Sequence, residues 1–217
     1  MTSSSSIAVR ELPLFPLPDV VLFPGRPLPL HIFEPRYRIM MNTILDVDRR
    51  FGVLMWDSVK GEPASIGCCA EIIQFQRLPD DRMKMLTLGQ QRFRVLEYVR
   101  EKPYRVGLVE WIEDHPPTQD LRPLANDVSQ LLHDVVRLSA KLTGQDIEIP
   151  EQIPDLPTEL SYWIASNLYN VADEQQSLLE MQDTAARLER EAEILTSTRN
   201  HLAARTVLKD TLKDVDD

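Results

Sequence analysis

The stretch LPLFPLPDVVLFPGRPLPLHIFEPRYR, residues 12–38, decides the fold class of this chain. Seven of the sixteen prolines lie within the first 35 residues, at positions 13, 16, 18, 24, 27, 29 and 35. Because each proline fixes its own φ and pushes the preceding residue toward extended geometry, no helix is expected before about Pro35. The apolar residues between the prolines are too numerous for a solvated linker. The stretch therefore predicts short buried strands, with Pro24-Gly25 as a turn and Pro35 near the first position of a helix.

Alternating apolar positions extend the β pattern to about residue 112. The turn residues of Leu78–Arg82 are typical of a hairpin that joins two long strands. One helix fits Arg36–Asp46, where apolar side chains recur at helical spacing. Strands are predicted near Leu12–Phe15, Leu28–Phe33, Phe51–Trp56, Ile66–Leu78, Met83–Val99 and Arg105–Ile112.

Helical spacing dominates after Pro123. Asp173 and Gln176 have the spacing of a capping box before an apolar stripe with heptad-like intervals. We expect this stripe to pack within the chain rather than against a second copy. The acidic segment Gln145–Pro157 is predicted to be a loop. Helices are predicted over Leu124–Leu142, over Thr158–Tyr169 and along the stripe from Leu178 to Leu202.

Charge separates two parts of the chain. Residues 1–116 carry 15 basic and 15 acidic side chains, whereas residues 117–217 carry 9 and 19, so the net charge of −10 belongs to the second part. The prolines of His115-Pro116-Pro117 mark the junction. We expect a disordered tail over residues 1–10, a β subdomain over 11–116, a helical subdomain over 117–208 and an acidic tail over 209–217.

Several short motifs occur in one order along the first 110 residues: LPLFPL (12–17), VVLFPG (20–25), LPLHIFEPRYR (28–38), DRRFGV (48–53), Gly67, GQQRFRV (89–95) and Pro103-Tyr104. In these motifs the chain resembles the Lon protease N-terminal domain, the substrate-recognition module also found in cereblon. The resemblance implies an α+β fold, in which a PUA-like β barrel is followed by a C-terminal helical bundle. It also implies binding of unfolded or extended segments of client proteins.

Catalytic groups, metal ligands and cofactor motifs are not apparent in the sequence. The chain has no G-x-x-x-x-G-K-[ST] phosphate loop, and no Ser–Lys peptidase module follows the matched region. Cys68 and Cys69 are adjacent and alone, which favours buried small residues on a strand over a zinc site or redox chemistry. His31 is predicted to be a structural residue within a strand. We therefore expect a protein that is not an enzyme.

The sequence is compatible with three functional classes. The first is a non-catalytic recognition module for client proteins, acting as an adaptor or assembly factor, with or without a separate ATPase or protease. The second is RNA binding, because PUA-like folds include RNA readers; Arg92 and Arg94, which flank Phe93, are the nearest feature, but we expect an outward pair on a neutral sheet. The acidic balance opposes phosphate contacts, so we expect no nucleic-acid partner. The third, an enzyme, has no supporting constellation.

The recognition module is expected in the cytoplasm, since the apolar runs are far shorter than the ~20 residues of a membrane span and no secretory leader is evident. We expect no membrane partner, and a monomer or weak dimer. Four residues near the domain junction, Met55, Trp56, Tyr162 and Trp163, are predicted to offer aromatic and thioether binding surface. The alternative for all four is ordinary packing in the core.

Overall fold

The computed structural model describes residues 9–144, 153–168 and 171–216, with side chains described as far as residue 208. The chain divides into two compact units. The β unit consists of the residues up to Asp114 together with Ala165–Gln182, and the α unit consists of His115–Ile164 together with the residues from Asp183 onward. That the chain has two subdomains that meet between residues 116 and 117 stays a prediction. The two compact units are divided differently, because Ala165–Gln182 belongs to the unit that contains the strands.

The predicted terminal and loop segments lie largely outside the described residues. Residues 1–8 of the expected tail and 145–152 of the expected loop fall there. Val9 and Arg10 already belong to the first strand, and the final helix runs to Asp216. Within the described part of the chain, no helix has the length and apolar character needed to cross a membrane.

The β unit follows the strand pattern predicted from proline spacing and alternation. Gly25 adopts a φ of 71°, and the Arg26 N–H donates to the Phe23 carbonyl at 3.1 Å, which confirms the Pro24-Gly25 turn. Helix α1 begins at Pro35, as predicted, and covers Pro35–Leu45. The strands are β1 (Val9–Pro18), β2 (Pro27–Ile32), β3 (Arg50–Asp57), β4 (Glu62–Pro63), β5 (Ile66–Arg77), β6 (Met83–Arg100) and β7 (Arg105–Ile112).

Strand pairing in the β unit returns to its starting point. β1 pairs with β7 antiparallel, and β7–β6, β6–β5 and β5–β3 are also antiparallel. β3 then pairs with β1 in parallel, while β2 pairs with β6 and β4 pairs with β3. Irregularities in the β5–β6 and β6–β7 registers give the long strand β6 places at which to bend. The sheet and the helices confirm the predicted α+β class.

Two apolar clusters fill the β unit. One surrounds the buried face of α1 and includes Tyr37, Met40 and Met41. The other forms around Phe93 on β6. Gly67 pairs with Phe93 and leaves no room for a side chain, because an added Cβ would lie 2.2 Å from the Val53 carbonyl oxygen. Cys68 and Cys69 are buried on β5, which confirms their predicted place on a strand.

Two predictions about the helices are wrong. Val171, rather than Asp173, is the N-cap of the fourth helix, and no side chain caps it. The apolar stripe is also not one helix, because Met181 is extended (φ −64°, ψ 131°). Asp183 then accepts hydrogen bonds from the next backbone N–H groups and starts a new helix. The helices after α1 are α2 (Arg122–Thr143), α3 (Pro157–Ser166), α4 (Ala172–Glu180) and α5 (Thr184–Asp216).

The α unit has an apolar core with a buried polar cluster beside it. Apolar residues of α2, α3 and α5 form the core, including Trp163 of α3. Ser161 donates to Glu191 at 2.9 Å and accepts from Nε of Arg187 at 2.6 Å. The Arg187 guanidinium lies 4.2 Å from the centre of the Tyr162 ring. Burial raises the pKa of Glu191 to about 8, and the Ser161 hydrogen bond and the charge of Arg187 only partly offset this effect.

Candidate functional site

An apolar groove lies where β1, β2, α1, β3 and β7 meet in the β unit; we call it the proline groove. Its volume is about 960 Å³. Pro16, Pro18 and Pro103 form part of its lining, and none of them has a backbone N–H to direct at a ligand. The other lining residues are Phe15, Leu17, Leu30, His31, Phe33, Glu34, Arg36, Tyr37, Trp56, Ser58, Glu101, Lys102, Tyr104 and Arg105.

A stacked arginine occupies one wall of the proline groove. The Arg105 guanidinium carbon lies 5.5 Å from the centre of the Trp56 ring and 5.4 Å from that of Tyr98. Its Nη1 is buried and has no hydrogen-bond acceptor among the described residues. Burial raises the pKa of the Tyr98 phenol, so the ring stays neutral at pH 7. This wall therefore combines aromatic surface with a guanidinium group whose Nη1 has no acceptor among the described residues.

The rim of the groove carries exposed aromatic surface. The Phe33 side chain is 61% exposed although it follows directly after strand β2. His31 is also exposed, with its ring centre 6.1 Å from that of Phe33. His31 lies within β2, as predicted, and its side chain is exposed because it alternates with the more buried residues of the strand, so its structural role stays a prediction. Exposed aromatic surface beside a concave lining is a common property of binding sites.

A second, smaller cavity of about 420 Å³ lies between β3, β4, β6 and α4; we call it the acidic pocket. Gln176 of α4 lines it and is 6% exposed. Its Nε2 donates to the Ile66 carbonyl at 3.0 Å and to the Glu180 carboxylate at 2.8 Å. Its Oε1 is buried without a donor from any described residue. Since both partners of Nε2 are acceptors, the orientation of the amide is fixed by its surroundings.

The four residues predicted as binding surface lie in different units. Met55 and Trp56 are neighbours at the end of β3, and strand alternation turns Met55 to the acidic pocket and Trp56 to the proline groove. Tyr162 and Trp163 lie on α3 and are buried. Packing accounts for these two, and their role in binding stays a prediction. Phe33 and Arg105 were not predicted as site residues.

The expectation of an outward arginine pair on β6 is wrong for Arg92. Its side chain is 1% exposed and forms an ion pair with Asp114. Its Nη1 donates to the carbonyls of Leu179 at 2.6 Å and Met181 at 2.5 Å, because the end of α4 covers this face of the strand. Arg94 is 40% exposed and forms an ion pair with Glu110 at 2.6 Å. Both guanidinium groups are thus engaged within the β unit.

The groove and the pocket hold no constellation typical of catalysis or metal binding. Within the part of the chain that the structure describes, no three His, Cys, Asp or Glu side chains are grouped to hold a metal ion. Burial raises the pKa of the Cys68 thiol well above its ordinary value and that of Cys69 to about 11. Both thiols are therefore protonated near neutral pH and are weak nucleophiles.

Comparison with known proteins gives one consistent family. The model of the ATP-dependent protease La (LON) substrate-binding domain matches residues 11–197. Lon protease 2 of Myxococcus xanthus is 28% identical over 201 residues, which are 89% of this chain and 24% of that protein. Lon protease of Anaeromyxobacter dehalogenans is 28% identical over 199 residues, with 88% and 24% covered. The chain thus spans about a quarter of the length of these curated relatives.

Solved structures agree with the sequence comparison. A crystal structure of a Lon N-terminal domain protein from Xanthomonas campestris is 27% identical and has a TM-score of 0.62, covering 83% of this chain and 96% of that one. The N-terminal domain of a Mycobacterium avium complex Lon protease shares the fold, with a TM-score of 0.63 at 16% identity, covering 88% and 98%. The resemblance in the sequence motifs is therefore confirmed, and the chain belongs to the family of Lon substrate-binding domains.

Proposed function

We propose that this chain is a non-catalytic recognition module that binds extended, apolar segments of client polypeptides in the proline groove. The observation that carries the proposal is the junction of exposed Phe33, half-buried Trp56 and stacked Arg105 in a single concave surface. Membership of a substrate-binding domain family supports a polypeptide ligand. We also propose that the chain acts on such clients as an adaptor or assembly factor, together with a separate ATPase or protease.

The lining of the groove suits an extended segment better than a folded surface. Aromatic and proline side chains remove apolar groups of a ligand from water at low cost in their own entropy, because few of their torsions are free. The positive charge of Arg105, which lines the groove, attracts a backbone carbonyl or a carboxylate of the ligand. Burying a few apolar side chains with one such polar contact corresponds to a dissociation constant in the micromolar range, about −8 kcal/mol.

The test uses two exposed phenylalanines as a matched pair. Phe33 lines the groove, whereas Phe75 of β5 is 42% exposed and does not. Phe33→Ala is expected to raise the dissociation constant of a fluorescein-labelled apolar peptide by roughly tenfold in anisotropy titrations. Phe75→Ala should leave the dissociation constant unchanged, because Phe75 lies outside the groove, and it controls for the loss of an exposed phenyl ring. Equal affinities for the two variants would contradict the placement of the site, and tight binding of RNA without peptide binding would contradict the proposed function.

We also infer that the returning circuit of strand pairs is the PUA-like barrel that the resemblance implies, with the α unit as the helical bundle after it. The parallel β1–β3 pairing, from Leu14 opposite Gly52 to Pro18 opposite Trp56, supports closure of the circuit. Closure leaves the proline groove at the end of β1 and β3. A cytoplasmic location and a monomeric or weakly dimeric state stay predictions.

A further inference from the structure

We propose that the acidic pocket binds the arginine side chain of a polypeptide, as a site separate from the proline groove. The ligand is identified by its chemistry, a planar cation with several N–H donors on an apolar stem. Three features of the pocket support this occupant: its unbalanced negative charge, a buried acceptor without a donor, and apolar residues in its lining.

The charge of the pocket is not balanced by its own residues. Asp57 accepts two backbone hydrogen bonds in the β3–β4 turn and pairs with Lys60 at 3.2 Å, so these two charges offset each other. The other acidic residues of the lining are Glu62, Glu97 and Glu180, and none of the three forms an ion pair with a described residue. Arg105 stacks on Tyr98 of the lining and offsets part of this negative charge. The pocket therefore keeps a net negative field toward a cation that approaches.

The second feature is the Oε1 atom of Gln176. It is buried in a side chain that lines the pocket, and no described residue donates to it. The bonds from Nε2 to the Ile66 carbonyl and to Glu180 prevent a flip of the amide that would satisfy Oε1 in another way. Buried acceptors in folded proteins almost always have a donor, so a ligand N–H that enters beside Gln176 would supply one that the described residues lack.

The third feature is the shape of the lining. Met55, Pro63 and Val95 provide apolar surface against which the methylene groups of an arginine can pack. The carboxylates are spread around the pocket and, in the described residues, are not grouped to hold a metal ion. A guanidinium has five N–H donors in a rigid plane, which suits acceptors that are separated from one another better than the compact ammonium of lysine does.

The experiment compares two acetylated and amidated peptides of glycine, serine and alanine that differ at one position. One carries arginine and the other carries citrulline, which has nearly the same shape without the charge. In ¹H–¹⁵N titrations the arginine peptide is expected to shift the amide signals of Gln176 and Glu97 in a saturable way. The citrulline peptide should bind at least about tenfold more weakly, because it lacks the attraction to the carboxylates. Equal affinities would overturn the inference.

A double variant and a control variant test whether the carboxylates of the pocket bind the arginine. Glu62→Gln with Glu97→Gln removes two exposed carboxylates at nearly constant shape and should weaken arginine-peptide binding by roughly tenfold. Glu189→Gln, an exposed substitution on α5 outside the pocket lining, should have no effect. Wild-type affinity in the double variant would overturn the inference. Phe33→Ala should leave arginine-peptide binding intact, so this site can fail while the proline groove still binds apolar peptides, and the reverse.

Discussion

Replacing Arg92 by Met tests whether the end of α4 is held to the sheet by one buried cation. The wild-type guanidinium makes an ion pair with Asp114 and donates to the carbonyls of Leu179 and Met181. Methionine fills much of the same volume but cannot donate a hydrogen bond. The substitution therefore removes the polar contacts with little change in packing, which separates their contribution from that of a cavity.

The expected loss follows from burial. The Asp114 side chain is 11% exposed, so in the variant a largely desolvated carboxylate loses its cation, and two carbonyls lose a donor. Breaking a buried pair from one side costs about 3–5 kcal/mol. A domain of ordinary stability unfolds with about 5–15 kcal/mol, so the variant should lose about a fifth or more of the total. With a urea m-value of about 2–3 kcal/mol/M, the midpoint should fall by about 1–2.5 M.

Arg94 provides the matched control. It lies two residues further along β6 and pairs with Glu110, but its side chain is 40% exposed, so Arg94→Met should cost at most about 1 kcal/mol. Urea unfolding followed by circular dichroism measures both variants. Adding Asp114→Asn to Arg92→Met should recover part of the loss, because the buried charge is then removed as well. Similar midpoints for the two single variants would refute the reasoning.

Two further predictions concern pH and truncation. Because burial raises the pKa of Glu191 to about 8, the folded protein keeps a proton that the unfolded chain releases above about pH 4.5. The contribution of protonated Glu191 to the free energy of unfolding is therefore full below that pH and is lost as the pH rises to about 8. Glu191→Gln should make the urea midpoint depend less on pH between about pH 5 and 8. An unchanged slope of the midpoint against pH would contradict this prediction. A fragment ending at Asp114 should keep a β-type circular dichroism spectrum but unfold at lower urea than the full chain, because it lacks Ala165–Gln182. A random-coil spectrum, or an unchanged midpoint, would contradict it.

Most of the strand structure was predictable from the sequence because its causes are local. Prolines forbid helix before Pro35, and runs of apolar residues between turn residues mark the strands. The predicted strand Arg105–Ile112 has the observed bounds, and α1 begins within one residue of its predicted start. Such features depend on residues adjacent in sequence, so no knowledge of distant partners is needed.

Two of the failed predictions concern features that apolar spacing does not report. Arg92 alternates with a core phenylalanine and reads as an outward residue, but a segment almost 90 positions later covers that face. The apolar stripe beyond Leu178 keeps helical spacing through Met181, although the chain is extended there. Periodicity shows which residues share a face. It does not show whether a later segment returns to cover that face.

The candidate site also has features that follow from neighbouring residues and features that depend on residues distant in sequence. Trp56 was predicted to offer binding surface, and it lines the proline groove. Phe33 is not among the predicted site residues, because it belongs to the predicted strand Leu28–Phe33, whose apolar residues were expected to be buried. The alternation of Leu28, Leu30 and Ile32 nevertheless excludes Phe33 from their face, and this was a usable signal. Arg105 had no such signal, because its stacking depends on Trp56 and Tyr98, which are distant in sequence.

The return segment Ala165–Gln182 explains why the β unit cannot be delimited by sequence position. It supplies the carbonyls that Arg92 contacts, and it also supplies Gln176 and Glu180 to the acidic pocket. The family match continues to residue 197, past this segment and into α5. Loss of the segment would therefore remove the inferred arginine site together with the Arg92 contacts. The described residues that line the proline groove lie between positions 15 and 105. The groove therefore does not depend on the return segment, and the two sites can be tested separately.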